Sequence, residues 1–201
     1  MKVPSIEKAK LLLSEAGTLN PGPWINHSIY TADAAHNIAS YHKDLDPEIA
    51  YIMGYLHDIG RRYGISNMRH IIDGYSFLSQ LGYEDCARIC LTHSFPFKDT
   101  DSYSGNNDCT SEEFNFIKEY IAGVDYSAYD ELIQICDALT TPKGFCLLEK
   151  RLVDVALRYG INNLTIAKWG ATFQIKKKFE DKIGRSIYDL LPGVKETTFV
   201  E

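Results

Sequence analysis

Six side chains carry the chemistry open to this chain: His27, the adjacent pair His57 and Asp58, His70, His93 and Asp137. Each falls inside a predicted helix or at its end, on a face that should be buried. A carboxylate in such a place is expensive unless something positive meets it. A first-row divalent metal suits an imidazole beside a carboxylate. Four imidazoles and two carboxylates can hold two ions, one carboxylate bridging them. Two ions roughly 3.5–4 Å apart can share a hydroxide and clamp the oxygens of an in-line displacement at phosphorus. Nitrogen and oxygen donors favour Fe, Mn, Zn or Co over Ca or Cu(I). Plainer roles stay open at this point. His57–Asp58 can cap a helix end and form a salt bridge, His70 can be an exposed first-turn residue, and His93 a satisfied core histidine. With the last two, the site holds one ion and not two.

The elements that must position these residues are helical. The stretch Asp46 to Arg62 is the centre of the pattern, with Ile49, Ile52, Met53 and Leu56 at i, i+3, i+4 and i+7, an apolar stripe of helical period. Asp46-Pro47 is a start signal and Gly60 a stop, leaving His57 and Asp58 at the buried end. Helices are also predicted over Ser5–Ala16, over the alanine-rich Trp24–Tyr41, over Met68–Leu81 and over Glu84–His93. Thr110-x-x-Glu113 reads as a capping box opening a helix to about Ala122, and Ser127 opens another, with Asp137 in its middle. Phe145–Tyr159 and Leu164–Lys182 complete the set. Period-two alternation is close to absent, so the fold class is all-α, a single domain over 1–201 with a core of about 24–160 and C-terminal helices over 164–191. Ser94–Asn107 is long, polar and glycine-containing, the character of a lid or binding loop.

Bulk properties narrow the function. A net charge of −6 over 201 residues argues against nucleic acid as a partner, because broad binding needs a basic footprint. Mean hydropathy is −0.21, no apolar run is long enough for a bilayer, and the charged, amphipathic N-terminus does not read as a signal peptide. Five cysteines without a CxxC pair, three of them (Cys86, Cys90, Cys136) on apolar faces, point to a reducing compartment. The expected localisation is cytoplasmic. The run Lys176–Lys178, with Lys168 and Lys182, reads as a solvated helix face. His36 and His42 read as lying outside the site, and Tyr30, Tyr51, Tyr63 and Tyr103 as packing residues with a base-stacking ring among them.

In order and spacing these residues resemble the HD-domain superfamily of metal-dependent phosphohydrolases. His27, then His57-Asp58, then Asp137 is similar to its H…HD…D signature, and His70 and His93 to the extra histidines of the dimetal HDIG-type subgroup. The surroundings agree: PGPWxxHS at Pro21–Ser28, LHDIG at Leu56–Gly60 and ICDALT at Ile135–Thr140. The likeness spans Trp24 to Tyr159. It implies that His27, His57, Asp58 and Asp137 hold one metal and that Asp58, His70 and His93 hold a second, with Asp58 bridging. Arg61 stands where relatives often place a lysine after HDIG, Arg62 is adjacent, and Lys143 follows ICDALT. Such cations would neutralise charge on phosphoryl oxygens, Arg61 with two parallel bonds and Lys143 as a point charge. Ser94 departs from relatives with a second histidine there. With no GYP segment, this speaks against a cyclic-dinucleotide phosphodiesterase; Gly74-Tyr75 lies elsewhere. The layout is similar to hydrolases of symmetrical dinucleoside polyphosphates, a lead on substrate class only.

The expectation is therefore a phosphohydrolase cleaving a phosphoester or phosphoanhydride of a nucleotide-like small molecule through a metal-bound hydroxide. Two divalent ions are expected, Fe or Mn first and Zn, Co or Ni after them. Asp58, Arg61 and Lys143 serve catalysis, the Ser94–Asn107 loop closes over the substrate, and a homodimer is compatible with the composition. Two rivals use the same residues: a mixed-valence di-iron oxygenase of the same superfamily, and a non-catalytic ligand sensor with a structural metal. Dioxygen dependence separates the first. Flat turnover with a thermal shift from one compound identifies the second. Replacing Asp58→Ala is expected to remove both bound metal and turnover; elemental analysis showing metal retained in that variant would contradict the assignment.

Overall fold

A computed structural model describes residues 1–199, and ten α-helices dominate the described residues. α1 (Ile6–Leu19) is capped by the Ser5 side chain, which accepts from the Lys8 N–H. α2 (Trp24–Ala39) and α3 (Pro47–Leu56) follow, then a 3-10 turn over Ile59–Tyr63, α4 (Arg69–Gln80) and α5 (Glu84–Thr92). α6 (Ser111–Gly123) and α7 (Ala128–Asp137) both open on capping boxes, Thr110 with Glu113 and Ser127 with Asp130. After a two-residue antiparallel hairpin, β1 (Thr140–Thr141) and β2 (Gly144–Phe145), come α8 (Leu148–Tyr159), α9 (Thr165–Ile183) and the short α10 (Val194–Thr198). No helix among the described residues is long and apolar enough to cross a membrane.

α3 is the hub. It packs on α1, α2, α5 and α7, and Ile52, Met53 and Leu56 are buried on its inner side. Burial of each such side chain is worth about 1.5–3 kcal/mol, which offsets part of the cost of the polar residues that follow. Ala32, Ala34 and Ala35 of α2 are fully buried, and small side chains let the two backbones close: a methyl placed on Gly54 would meet the Ala32 backbone at 2.8 Å. A second apolar cluster, including Met68, Ile71, Leu91, Phe95 and Ile117, joins α4, α5 and α6.

Several expectations are corrected at helix ends. Asp46 caps α3 as predicted, accepting from the Glu48 and Ile49 N–H groups at 2.8 and 3.3 Å. The helix stops at Leu56, however, four residues before Gly60, and the chain tightens into the 3-10 turn. Gly64, with φ of +130°, is the residue that turns the chain. Gly60 serves packing instead: any Cβ there would overlap the His70 carbonyl and the Gly74 nitrogen of α4. Asp137 is the last residue of α7, not a mid-helix one, and Phe145 belongs to the hairpin. The Ser94–Asn107 loop is pinned along its length. Phe95 is fully buried, the Tyr126 hydroxyl donates to the Phe95 carbonyl at 2.6 Å, and Asn162 donates to the Asp101 carbonyl at 2.9 Å.

Gly60→Ala should force the 3-10 turn off α4 and cost about 1–3 kcal/mol, the usual size of an overpacking strain. Urea unfolding measures it, and an unchanged midpoint would contradict the close approach.

Candidate metal centre

The ends or first turns of five helices converge here. His27 stands in the first turns of α2 and His70 in the first turn of α4. His57 and His93 are the residues on which α3 and α5 end, Asp58 follows His57, and Asp137 closes α7. The Nδ1 atoms are turned outward. His57 Nδ1 lies 2.7 Å from the Gly54 carbonyl, His93 Nδ1 is 2.9 Å from the Cys90 carbonyl, and His70 Nδ1 meets the Asn67 carbonyl. A carbonyl only accepts, so these three nitrogens carry the proton and each Nε2 is left as a lone pair. His27 Nδ1 lies 3.2 Å from the Thr140 hydroxyl, which is itself 3.0 Å from the Cys136 carbonyl to which it donates. Outer hydrogen bonds of this kind orient metal-binding imidazoles.

The Nε2 atoms face two carboxylates. His27 Nε2 is 2.8 Å from Asp137 Oδ1, and His57 Nε2 is 3.9 Å from both Asp137 Oδ1 and Asp58 Oδ2. On the other side, Asp58 Oδ1 is 3.1 Å from His70 Nε2 and 3.7 Å from His93 Nε2, and those two nitrogens are 3.5 Å apart. Donors held about 2.0–2.2 Å from one ion lie about 3–3.5 Å from each other, so the separations suit a cation between them. His57 Nε2 is buried without any hydrogen-bond partner, which costs free energy unless a cation takes the lone pair. The donors therefore fit metal in two buried groups, His27–His57–Asp58 and Asp58–His70–His93, with Asp137 beside the first.

Charge is balanced tightly. Burial alone would raise the pKa of Asp58, but the Arg61 guanidinium beside it holds it well below its ordinary 3.8. Asp137 is also raised by burial and held below the carboxylate range by its contact with His27. Burial pushes the His27 pKa down, and takes His93 to about 3 with His57 assisting.

The predicted cations divide. Arg61 Nε donates to Asp58 Oδ2 at 2.7 Å and its Nη1 to the Ser66 carbonyl at 3.3 Å. The Asn20 side chain holds the Arg61 backbone carbonyl at 2.6 Å. Arg61 lines the cavity but spends its guanidinium on the carboxylate, not on open space. Arg62 turns away and lies 3.8 Å over the Phe77 ring. Lys143 sits exposed in the hairpin turn and outside the cavity lining, where Pro142 is the nearest contributor. A two-residue hairpin sends its tip to solvent, which is why the loop position misled. His36 packs near Tyr51 and His42 against Phe179, both away from the site as expected. Of the four tyrosines singled out, only Tyr103 lines the cavity.

That cavity has a volume of about 310 Å³ and opens from the carboxylate cluster toward α8 and α9. Sequence reasoning missed Lys168, assigned to a solvated face but lining the cavity with Arg151 and Trp169. The signal was there: Lys168 stands at i−4, i−7 and i−11 from Thr172, Ile175 and Phe179, the buried stripe of α9.

A helical domain with four buried histidines and the buried Asp58 gathered at helix ends offers a place for a metal ion. The chain belongs to the HD-domain family: that family's model matches residues 24–141, more than half of the chain. HD domains bind divalent metals and are in general metal-dependent hydrolases. Neither a curated protein nor a solved structure matched the chain.

Because the folded pKa of His93 is depressed from 6.5 to about 3, the unfolded chain takes up that proton first. Its stabilisation is whole above about pH 6.5 and drains away as pH falls toward 3. Metal-stripped protein should thus lose stability through that window, and His93→Gln should flatten the loss. Equal slopes in urea titrations at stepped pH would contradict this.

Proposed function

We propose that this chain is a two-metal phosphohydrolase acting on a phosphoester or phosphoanhydride of a small, nucleotide-like molecule. The observation that carries the reading is the division of Asp58: Oδ2 faces His57 and Arg61 while Oδ1 faces His70 and His93. A carboxylate whose two oxygens serve different imidazole sets is placed to bridge two ions. His27, His57, Asp58 and Asp137 would hold one, and Asp58, His70 and His93 the other, with Fe or Mn the first candidates. Bound divalent ions supply an acidified water and Lewis-acid contacts to phosphoryl oxygens.

The protein's own groups do the rest. Arg61 fixes the rotamer of Asp58 and balances its charge, so that both oxygens keep their direction. Thr140 and the backbone carbonyls of Gly54, Asn67 and Cys90 keep the imidazole protons on Nδ1, away from the reacting centre. Trp24 and Tyr103 wall the cavity beside the cluster and limit water there, and Tyr103 offers a ring for a base or sugar. The anchored Ser94–Asn107 loop supplies Ser94, Tyr103 and Ser104 to that wall.

Protein loaded with Mn(II) or Fe(II) and assayed anaerobically should release inorganic phosphate from members of a nucleotide and phosphoester panel. Turnover that appears only with dioxygen would overturn the reading in favour of an oxygenase. Arg61→Met should weaken metal affinity and turnover roughly 10- to 100-fold, the usual effect of losing an outer partner of a ligand, and should lower the unfolding midpoint of the stripped protein, because the buried Asp58 carboxylate loses its cation. Arg61→Lys should recover part of the loss; metal affinity untouched by Arg61→Met would refute the positioning role.

A further inference from the structure

The family match ends at residue 141, yet the cavity does not. Its far side is built by α8 and α9. Arg151, Leu152, Val155 and Arg158 form one helical stripe of α8 on the lining, and Lys168, Trp169 and Thr172 the facing stripe of α9. Cations on these positions are unlike the others on the same helices. Lys176, Lys177, Lys178 and Lys182 each meet a carboxylate, at 2.7, 2.7, 2.5 and 3.4 Å, and Lys150 meets Asp154 at 3.2 Å. Among the described residues, neither Arg151, Arg158 nor Lys168 has a carboxylate within 4.0 Å. Lys168 Nζ has only the Ser104 hydroxyl, at 3.4 Å, and feels Asp137 from a distance.

Arg151 and Lys168 are half-buried with no carboxylate in reach, so their desolvation is only partly offset, while Arg158 lies exposed at the rim with its Nε on the Asp154 carbonyl at 3.3 Å. Burial accordingly brings the Lys168 ammonium down to about 8. The arrangement makes sense if an anion enters with the ligand. A single phosphoryl group at the carboxylate cluster does not account for it, since the metal-binding donors already serve that end. Trp169 beside Lys168 adds an apolar face to the same wall.

We propose that Arg151 and Lys168, with Arg158 at the rim, form a second anion subsite, so that the substrate carries a further phosphate or carboxylate besides the phosphoryl group that reacts. This deepens the phosphohydrolase reading and rests on it for the identity of the reacting end. The specificity of the enzyme then comes from α8 and α9, outside the segment shared with the HD-domain family.

The test uses the as-purified protein with its metals and two probes, inorganic phosphate and inorganic pyrophosphate, followed by calorimetry. Wild type should bind pyrophosphate at least about tenfold tighter than phosphate. Lys168→Met and Arg151→Met should each weaken pyrophosphate roughly 10- to 100-fold, the usual loss for a charge-assisted contact, and phosphate much less. Lys177→Met, on the surface, should match wild type, and elemental analysis should give the same metal content for all variants. Equal losses for both probes, or no loss for either, would overturn the subsite. Selective loss for pyrophosphate in a protein that releases phosphate from no substrate would uphold the subsite and remove the hydrolase reading. Turnover with no pyrophosphate preference would do the reverse.

Discussion

Asp58 is 4% exposed, and each of its oxygens is claimed from two sides. Arg61 and His57 approach Oδ2; His70 and His93 approach Oδ1. One guanidinium is too little positive charge for the buried Asp58 and the half-buried Asp137 among four imidazoles whose lone pairs point inward. A proton on His27 would help Asp137, but burial pushes that proton off, and His57 Nε2 would still lack a partner. The constraint is thus one of charge and lone pairs together, and divalent cations satisfy both at once.

The fold is arranged to hold that imbalance open. α3 buries its apolar face among four other helices and so delivers His57 and Asp58 to a fixed place. Gly54 and Gly60 allow backbones to close where any side chain would hold them apart. Helix ends recur at the site for a physical reason: terminal carbonyls such as those of Gly54 and Cys90 lack a complete set of helical partners, and they take the outward imidazole N–H groups. The same carbonyls that terminate α3 and α5 therefore set the tautomers.

Much of this was legible in the sequence because the metal-binding residues sit on helices whose apolar period is strong. His27, His57, Asp58, His70, His93 and Asp137 converge as expected, and the capping box that opens α6 at Thr110 and the start of α7 at Ser127 could both be placed. Side chains at helix ends were harder. The 3-10 tightening after Leu56 depends on the approach of α4, which no local pattern encodes. Lys143 looked apt by position in the chain, but a hairpin tip points outward. Lys168 was hidden by the lysine-rich run that follows it, although its register with Ile175 and Phe179 marked it as inward. Arg62 shows the reverse: adjacent to Arg61, yet drawn to the Phe77 ring.

The HD segment supplies the buried centre, and α8 and α9, which follow that segment, line the opposite wall of the same cavity. The most direct check on the central claim is an anomalous-scattering map from crystals grown of protein purified without added metal. The account predicts two peaks sharing Asp58, one beside His27, His57 and Asp137 and the other beside His70 and His93. A map with no peak at either place, and Asp58 held by Arg61 and protonated histidines alone, would contradict it.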